Sequence, residues 1–276
     1  MQFIILTSCS SAEEKKATKG LFWELKSEVS TVYLLGTVHV GKKDFYPLDE
    51  KIEKAFEKSD HLVAEIDISS VKPQDLQKYI KGDPSLYEGL NEKDSKKFKK
   101  VLSNLGIQFN QVQNIRPTYL SIEMTMMALS KLGYTPQYGI ENYFFAKKGN
   151  RKTFGLEPLD VHFGFLTKLT KKEEHTMLME TIKSFDKLDK LFKDSWAAWK
   201  AGDIDKLEKL FIDEMKKQKS LYKLINVDRN KVMTEEINKL LKKRGTYFVM
   251  IGSAHFAGKD SIIEMLKRKG LKPIKK

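Results

Sequence analysis

Apolar and polar positions along the chain change period several times, and each change marks an element. Phe22-Trp23-Glu24-Leu25 alternates, and the β-rich run Thr31-Val32-Tyr33-Leu34-Leu35 follows a polar break, which predicts a hairpin. Beyond Pro47, Leu48, Ile52, Ala55 and Phe56 recur at helical spacing and define one apolar face. His61-Leu62-Val63-Ala64-Glu65-Ile66 then reads as a strand. Strand, helix, strand in so short a stretch predicts a parallel pair joined by a right-handed crossover.

From Pro73 to about Gly149 the pattern is helical and amphipathic, with breaks at Gly82-Asp83-Pro84, Gly106, Arg116-Pro117 and Gly133. Lys152 to Leu156 predicts a third strand and Lys171 to Lys243 a second helical stretch. Thr246 to Ile251 predicts a fourth strand, and a last helix carries Ile262, Ile263 and Leu266. Met124, Met126 and Met127, and Trp196 and Trp199 spaced three apart, are expected in apolar packing. The expected fold class is α/β, with a central mixed, mostly parallel sheet flanked by helices and a large helical insertion. No Pro/Gly/Ser-rich linker divides residues 21–276, so one domain is expected there.

Composition narrows the class. The chain is 41% hydrophobic and 32% charged, and no run is apolar enough to span a bilayer. Its net charge of +13 is carried by lysine, the arginines being only Arg116, Arg151, Arg229, Arg244 and Arg268. Lysines interleaved with Glu and Asp on helix faces describe a solvated surface, so no nucleic-acid partner is expected. The single cysteine, Cys9, excludes an internal disulfide framework. Leu6-Thr7-Ser8-Cys9 resembles the lipidation box of a bacterial lipoprotein signal, here with a shortened apolar stretch and no basic start. On that reading residues 1–20 are a truncated signal and tether. Cys9 is lipidated, the anchor is the sole membrane contact, and the protein resides in the cell envelope.

One short self-similarity carries chemistry. Leu34-Leu35-Gly36-Thr37-Val38-His39 and Met250-Ile251-Gly252-Ser253-Ala254-His255 each run from a buried-type strand through a glycine and two small residues to a histidine. Strand carboxyl ends gather at one rim of an open α/β sheet, so His39 and His255 are expected to meet there. Histidine supplies a metal ligand or a base near neutral pH. Glu65, at the end of the second strand among apolar neighbours, is costly to bury unless it meets a cation or proton donor. Glu157, after the third strand, and Glu141, in Gly139-Ile140-Glu141, are further acidic candidates. Arg229 stands at a predicted helix start with Asp228 as its cap, and its planar fork suits a carboxylate or an oxyanion. Arg116 is a second such arginine. His61, His162 and His175 lack strand-end context and are expected to be structural.

The paired motifs resemble the TraB/GumN family. So do Val63-Ala64-Glu65, Gly139-Ile140-Glu141, Gly155-Leu156-Glu157, Trp196-Ala197-Ala198-Trp199-Lys200-Ala201-Gly202-Asp203-Ile204 and Asp228-Arg229-Asn230. The likeness runs from about Leu21 to Pro273, and departs where the family more often has Glu at the position of Asp228. The resemblance implies kinship with Tiki-type metal-dependent proteases and with erythromycin esterases. It places functional residues at His39, Glu65 and His255 with Arg229 in support. His39, His255 and Glu65 are thus expected to hold a divalent ion (Mn, Zn or Co), while Glu65 or Glu157 moves a proton. The substrate is expected to be a peptide or small molecule with an amide or ester bond. A metal-free esterase-type hydrolase and a non-catalytic binder of peptide or small ligand are the alternatives.

Overall fold

The computed structural model describes residues 19–276. Cys9 and the signal-like stretch around it lie outside the described residues. Six strands form one sheet: β1 (Leu21–Lys26), β2 (Ser30–Thr37), β3 (His61–Ala64), β4 (Lys152–Gly155), β5 (Gly245–Gly252) and β6 (Ile274–Lys275). Their spatial order is β4-β3-β5-β2-β1-β6. The four strands β4, β3, β5 and β2 run parallel, while β1 pairs antiparallel with β2 and β6 antiparallel with β1. This is the expected mixed, mostly parallel sheet, and the predicted hairpin is β1 and β2.

One expectation is corrected. β2 and β3 are parallel but not neighbours, because β5, from the far end of the chain, lies between them and pairs with both. Its run Tyr247-Phe248-Val249-Met250-Ile251 is buried throughout, which suits a central strand covered on both faces. Local periodicity cannot disclose that a distant strand will enter between two consecutive ones. The consequence is functional: Gly252 comes to pair with Thr37, which places the two Gly-x-x-His motifs side by side.

The helix α1 (Glu50–Glu57) follows β2, with Ile52, Ala55 and Phe56 on the sheet. The helical insertion between β3 and β4 contains α2 (Glu92–Leu105), α3 (Pro117–Lys131) and α4 (Ile140–Ala146). After β4 come a short helix α5 (Leu159–His162), then α6 (Lys171–Ser184), α7 (Leu188–Ala201), α8 (Asp228–Leu240) and α9 (Ile262–Arg268). The break predicted at Gly106 is a helix cap at positive φ, 80°, and Gly202 caps α7 in the same way at 69°, where glycine carries no Cβ penalty. Three apolar clusters result among the described residues, the smallest formed by Val40, Phe45, Leu129 and Tyr134. The largest packs the sheet against α1, α7, α8 and α9, and the second joins α2, α3 and α6 through Phe98, Leu102, Met124 and Leu178. Met124 is fully buried, as its spacing predicts, but Met127 faces outward at 37% exposure.

Trp199 ties the helical layer to the first motif. Its indole is fully buried, stacks on Trp196, and donates Nε1–H to the Gly36 carbonyl at 2.7 Å. Gly36 is a glycine for want of room, since a Cβ there would come within 2.9 Å of the Leu21 Cβ. Replacing Trp199 with Phe keeps most of the apolar volume and orphans the Gly36 carbonyl. We expect a loss of about 1–3 kcal/mol in urea unfolding, against about 3–5 kcal/mol for Trp199→Ala. Unchanged stability in both variants would contradict this packing.

Candidate functional site

The site lies at the carboxyl ends of four consecutive parallel strands. β3 leads to Glu65, β4 to Glu157, β2 to His39 and β5 to His255. Glu65 and Glu157 are brought level by the backbone, where Glu157 N–H donates to the Glu65 carbonyl at 2.8 Å. Gly155 permits this approach, because a Cβ there would sit 2.5 Å from the Asp67 nitrogen.

Arg229 enters from α8 and is buried with both acids. Its Nη2 donates to Glu65 Oε2 and to Glu157 Oε2, each at 2.6 Å, and its Nε donates to Glu157 Oε1 at 3.0 Å. Burial alone would raise the Glu65 pKa, but Arg229 first, then His255, His39 and His162, hold it well below the usual 4.5. Arg229 is fixed in its charged form by the same two carboxylates against its own desolvation. The predicted cap at Asp228 is corrected here. α8 grows without a break out of a wide π-helical turn (Lys223–Val227), no side chain caps it, and Asp228 pairs instead with Lys223 and Lys231. That turn carries Asn226, and Arg229 and Asn230 follow at the start of α8, all three buried beneath the rim.

The other oxygen of Glu65 faces the second motif. Oε1 accepts the Gly252 N–H at 2.6 Å and lies 4.0 Å from His255 Nε2. A Cβ at Gly252 would stand 3.1 Å from Glu65 Oε1 and 3.4 Å from His39 Nε2, so the bare glycine keeps the space between them open. Each histidine has its Nδ1 occupied by an acceptor. His39 Nδ1 donates to Glu141 Oε1 at 2.7 Å, and Thr37 Oγ1 donates to the same oxygen. His255 Nδ1 donates to Asn230 Oδ1 at 2.6 Å. The Asn230 amide is oriented by its own donations to Asn226 Oδ1 and the Asp260 carbonyl, so Oδ1 must accept. Both Nε2 atoms are thereby left for chemistry.

The two histidines are opposite in charge preference. His39 is 64% exposed at its side chain, yet Glu141, and then Glu65, raise its pKa from 6.5 to about 9. His255 is buried, and desolvation first and the Arg229 charge second lower its pKa to about 4. Glu141 reaches His39 because its helix α4 is clamped to the first motif. Ile140 N–H donates to the Val38 carbonyl at 3.1 Å, and a Cβ on Gly139 would strike the His39 carbonyl oxygen at 2.2 Å.

The structure brings His39, Glu65, Glu141, Glu157, Arg229 and His255 together at the strand ends. Two expectations are corrected. His162, taken as structural, joins the network from α5, with Nδ1 3.0 Å from Glu157 Oε2 and 3.7 Å from Glu65 Oε2. Its signal is its place five residues beyond Glu157, just after β4. Arg116 does not join: its Nη1 pairs with Glu174 within the helical layer, where burial pushes the Glu174 pKa up. His61 is structural as expected, stacked on Tyr247.

Two donor sets present themselves to a cation. Among the described residues, Glu65, Glu157 and His162 bring ligand atoms within 4.8 Å of one another. That set does not fit a divalent ion, because Arg229 Nη2 already lies within 3.0 Å of all three. His39 Nε2, His255 Nε2 and Glu65 Oε1 do not close to that mutual distance, but their donor types suit a cation: two imidazoles with engaged Nδ1 atoms and one ionised carboxylate.

The profile of the TraB/PrgY/gumN family matches residues 21–274. An uncharacterised protein of Treponema pallidum (strain Nichols) is 21% identical over 270 residues, covering 91% of this chain and 81% of its own. The uncharacterised YbaP of Escherichia coli (strain K12) is 22% identical over 242 residues, covering 85% of this chain and 87% of its own. No solved structure matches the chain.

The triad of Arg229 with Glu65 and Glu157 has a testable signature. Glu65 has a depressed folded pKa, so its stabilisation is present above pH 4.5 and is lost as pH falls through that folded value. Arg229→Met leaves two buried carboxylates unpaired, at a cost of about 3–5 kcal/mol. Without the guanidinium the Glu65 pKa rises, so the variant recovers stability relative to wild type as pH is lowered from 8 toward 5. Parallel pH dependence of the urea midpoints would contradict the pairing.

Proposed function

Because the chain belongs to the TraB/PrgY/gumN family, we propose from its site chemistry that it hydrolyses amide or ester bonds, activating water beside Glu65 between His39 and His255. The observation that carries this reading is that His255 Nε2 lies 4.0 Å from Glu65 Oε1 while His39 Nε2 faces the same bare Gly252, with each Nδ1 fixed by an acceptor. Purely structural histidines have no need of a shared, bare glycine wall.

The residues divide the work by position. Glu65 stays ionised because Arg229 holds Oε2, and its Oε1 offers an acceptor for a water proton at the rim. Asn230 holds His255 in the tautomer whose Nε2 carries a lone pair. Glu141 and Thr37 hold His39 on the opposite side of the gap. Glu157 has no exposed side-chain surface and is engaged by Arg229 and His162, which suits it to anchoring the arginine. Arg229 Nη1 makes no hydrogen bond among the described residues and is what remains to meet an oxyanion. His39 and His255 through Nε2, and Glu65 through Oε1, are the groups that would hold a divalent ion. Such an ion, when bound, lowers the pKa of water and polarises the scissile carbonyl. A second reading, hydrolysis without metal, is favoured by the Asn230-fixed tautomer of His255, which leaves Nε2 a lone pair to accept a proton from water.

The test is metal analysis of the purified full chain with cleavage of quenched peptides and p-nitrophenyl esters, with and without chelator. Wild type is expected to cleave. His39→Ala, His255→Ala and Glu65→Gln are each expected to lower kcat/KM by about 100-fold or more. Loss of cleavage with chelator supports the metal reading, and cleavage that survives it supports the second. Variants that bind metal and cleave as wild type does would overturn the site. A folded wild type that cleaves nothing but holds a peptide tightly would make the same rim a binding site.

Gly252→Ala offers a finer probe. The added methyl contacts Glu65 Oε1 and His39 Nε2 without meeting backbone. We expect an intact thermal transition with a rate reduced by about tenfold, in line with displaced reacting groups. A rate equal to wild type would show that the gap between these atoms is not where reaction occurs.

A further inference from the structure

His162 is a third histidine with the same construction as the other two. Its Nδ1 lies 3.0 Å from Glu157 Oε2 and 3.0 Å from Arg229 Nη2, so one of these is its hydrogen-bond partner and the other a bystander. Counting hydrogens decides which. Arg229 Nη2 has two, and both are placed, on Glu65 Oε2 and Glu157 Oε2 at 2.6 Å each. None is left for His162. Nδ1 therefore carries its own hydrogen and donates it to Glu157 Oε2.

The oxygen that accepts it is the one at which the network branches. Glu157 Oε2 also accepts Arg229 Nη2 and Nε, and the second hydrogen of that Nη2 holds Glu65. His162 thus stands at one end of a chain that runs through Glu157, Arg229 and Glu65 to the Gly252 N–H. It reaches that place on a short helix directly after β4, the strand whose end also supplies Glu157.

We propose that His162 is a positioning residue. By donating Nδ1–H to Glu157 it fixes the Arg229 fork, and the fork in turn fixes the Glu65 carboxylate with Oε1 toward Gly252, His39 and His255. The consequence for catalysis rests on the hydrolase reading; the geometric consequence does not. His162 need not touch substrate, and its role needs the donor at Nδ1 alone. Asparagine carries an amide N–H at the corresponding position of its side chain, whereas leucine has similar bulk and no donor.

The experiment compares wild type, His162→Asn and His162→Leu as full chains, with folding checked by thermal melts. The first readout is the Gly252 amide proton in a nitrogen-correlated NMR spectrum, which reports the short bond to Glu65 from the far side of the network. We expect a strongly downfield Gly252 amide in wild type and in His162→Asn, moved upfield in His162→Leu. The second readout is cleavage of the quenched-peptide pool, expected to fall about tenfold in His162→Leu and to return to within about threefold of wild type in His162→Asn. A leucine variant with the wild-type Gly252 shift, or an asparagine variant indistinguishable from leucine, would overturn the proposal. If wild type cleaves nothing, the hydrolase reading fails while the amide comparison still decides the role of His162.

Discussion

The structure depends on one guanidinium held between two buried carboxylates. Arg229, Glu65 and Glu157 are nearly sealed from solvent, and none could be buried alone without a penalty of several kcal/mol. Such a triad adds little net stability compared with apolar packing of equal volume, so its retention points to what it arranges. It joins α8 to the ends of β3 and β4, and it divides the two oxygens of Glu65 between a cation on one side and the histidine rim on the other.

That division explains how two histidines in matching sequence motifs acquire opposite electrostatics. His39 lies beside Glu141 on the open side of the rim and gains a proton's worth of attraction, while His255 is enclosed, with Arg229 nearby. Groups whose environments push their affinities for protons apart are suited to acid and base roles in one reaction. Neither histidine is free to turn, since Glu141 and Asn230 each claim an Nδ1. The rim is therefore organised in the protein as it stands, which on the hydrolase reading is where electrostatic catalysis gains most.

Much of this was legible in the sequence, and for physical reasons. Gly36 to His39 and Gly252 to His255 repeat because both are strand ends that approach a shared space, and Glu65 follows apolar residues that permit a glutamate only with a partner. The alternation of β1 and β2 and the spacing of α1 rest on local periodicity, which does not depend on distant chain. What escaped depends on tertiary placement. The entry of β5 between β2 and β3 is a pairing choice made across most of the chain. The π-helical turn before Asp228 replaced the predicted cap with a continuous helix, a difference no capping residue could announce. His162 escaped because its short helix has too few residues to show a period, so only its distance from Glu157 marked it. Arg116, rare by type as Arg229 is, was claimed by Glu174 in another layer, and rarity alone could not separate the two.

The most direct measurement is a nitrogen-15 imidazole titration of the chelator-treated protein, following His39 and His255 as separate resonances. His39 is expected to lose its proton near pH 9, and His255 to remain neutral, protonated at Nδ1 with a bare Nε2, until pH approaches 4. Two histidines titrating together near their ordinary value of 6.5, or a His255 protonated at Nε2 when neutral, would contradict this reading.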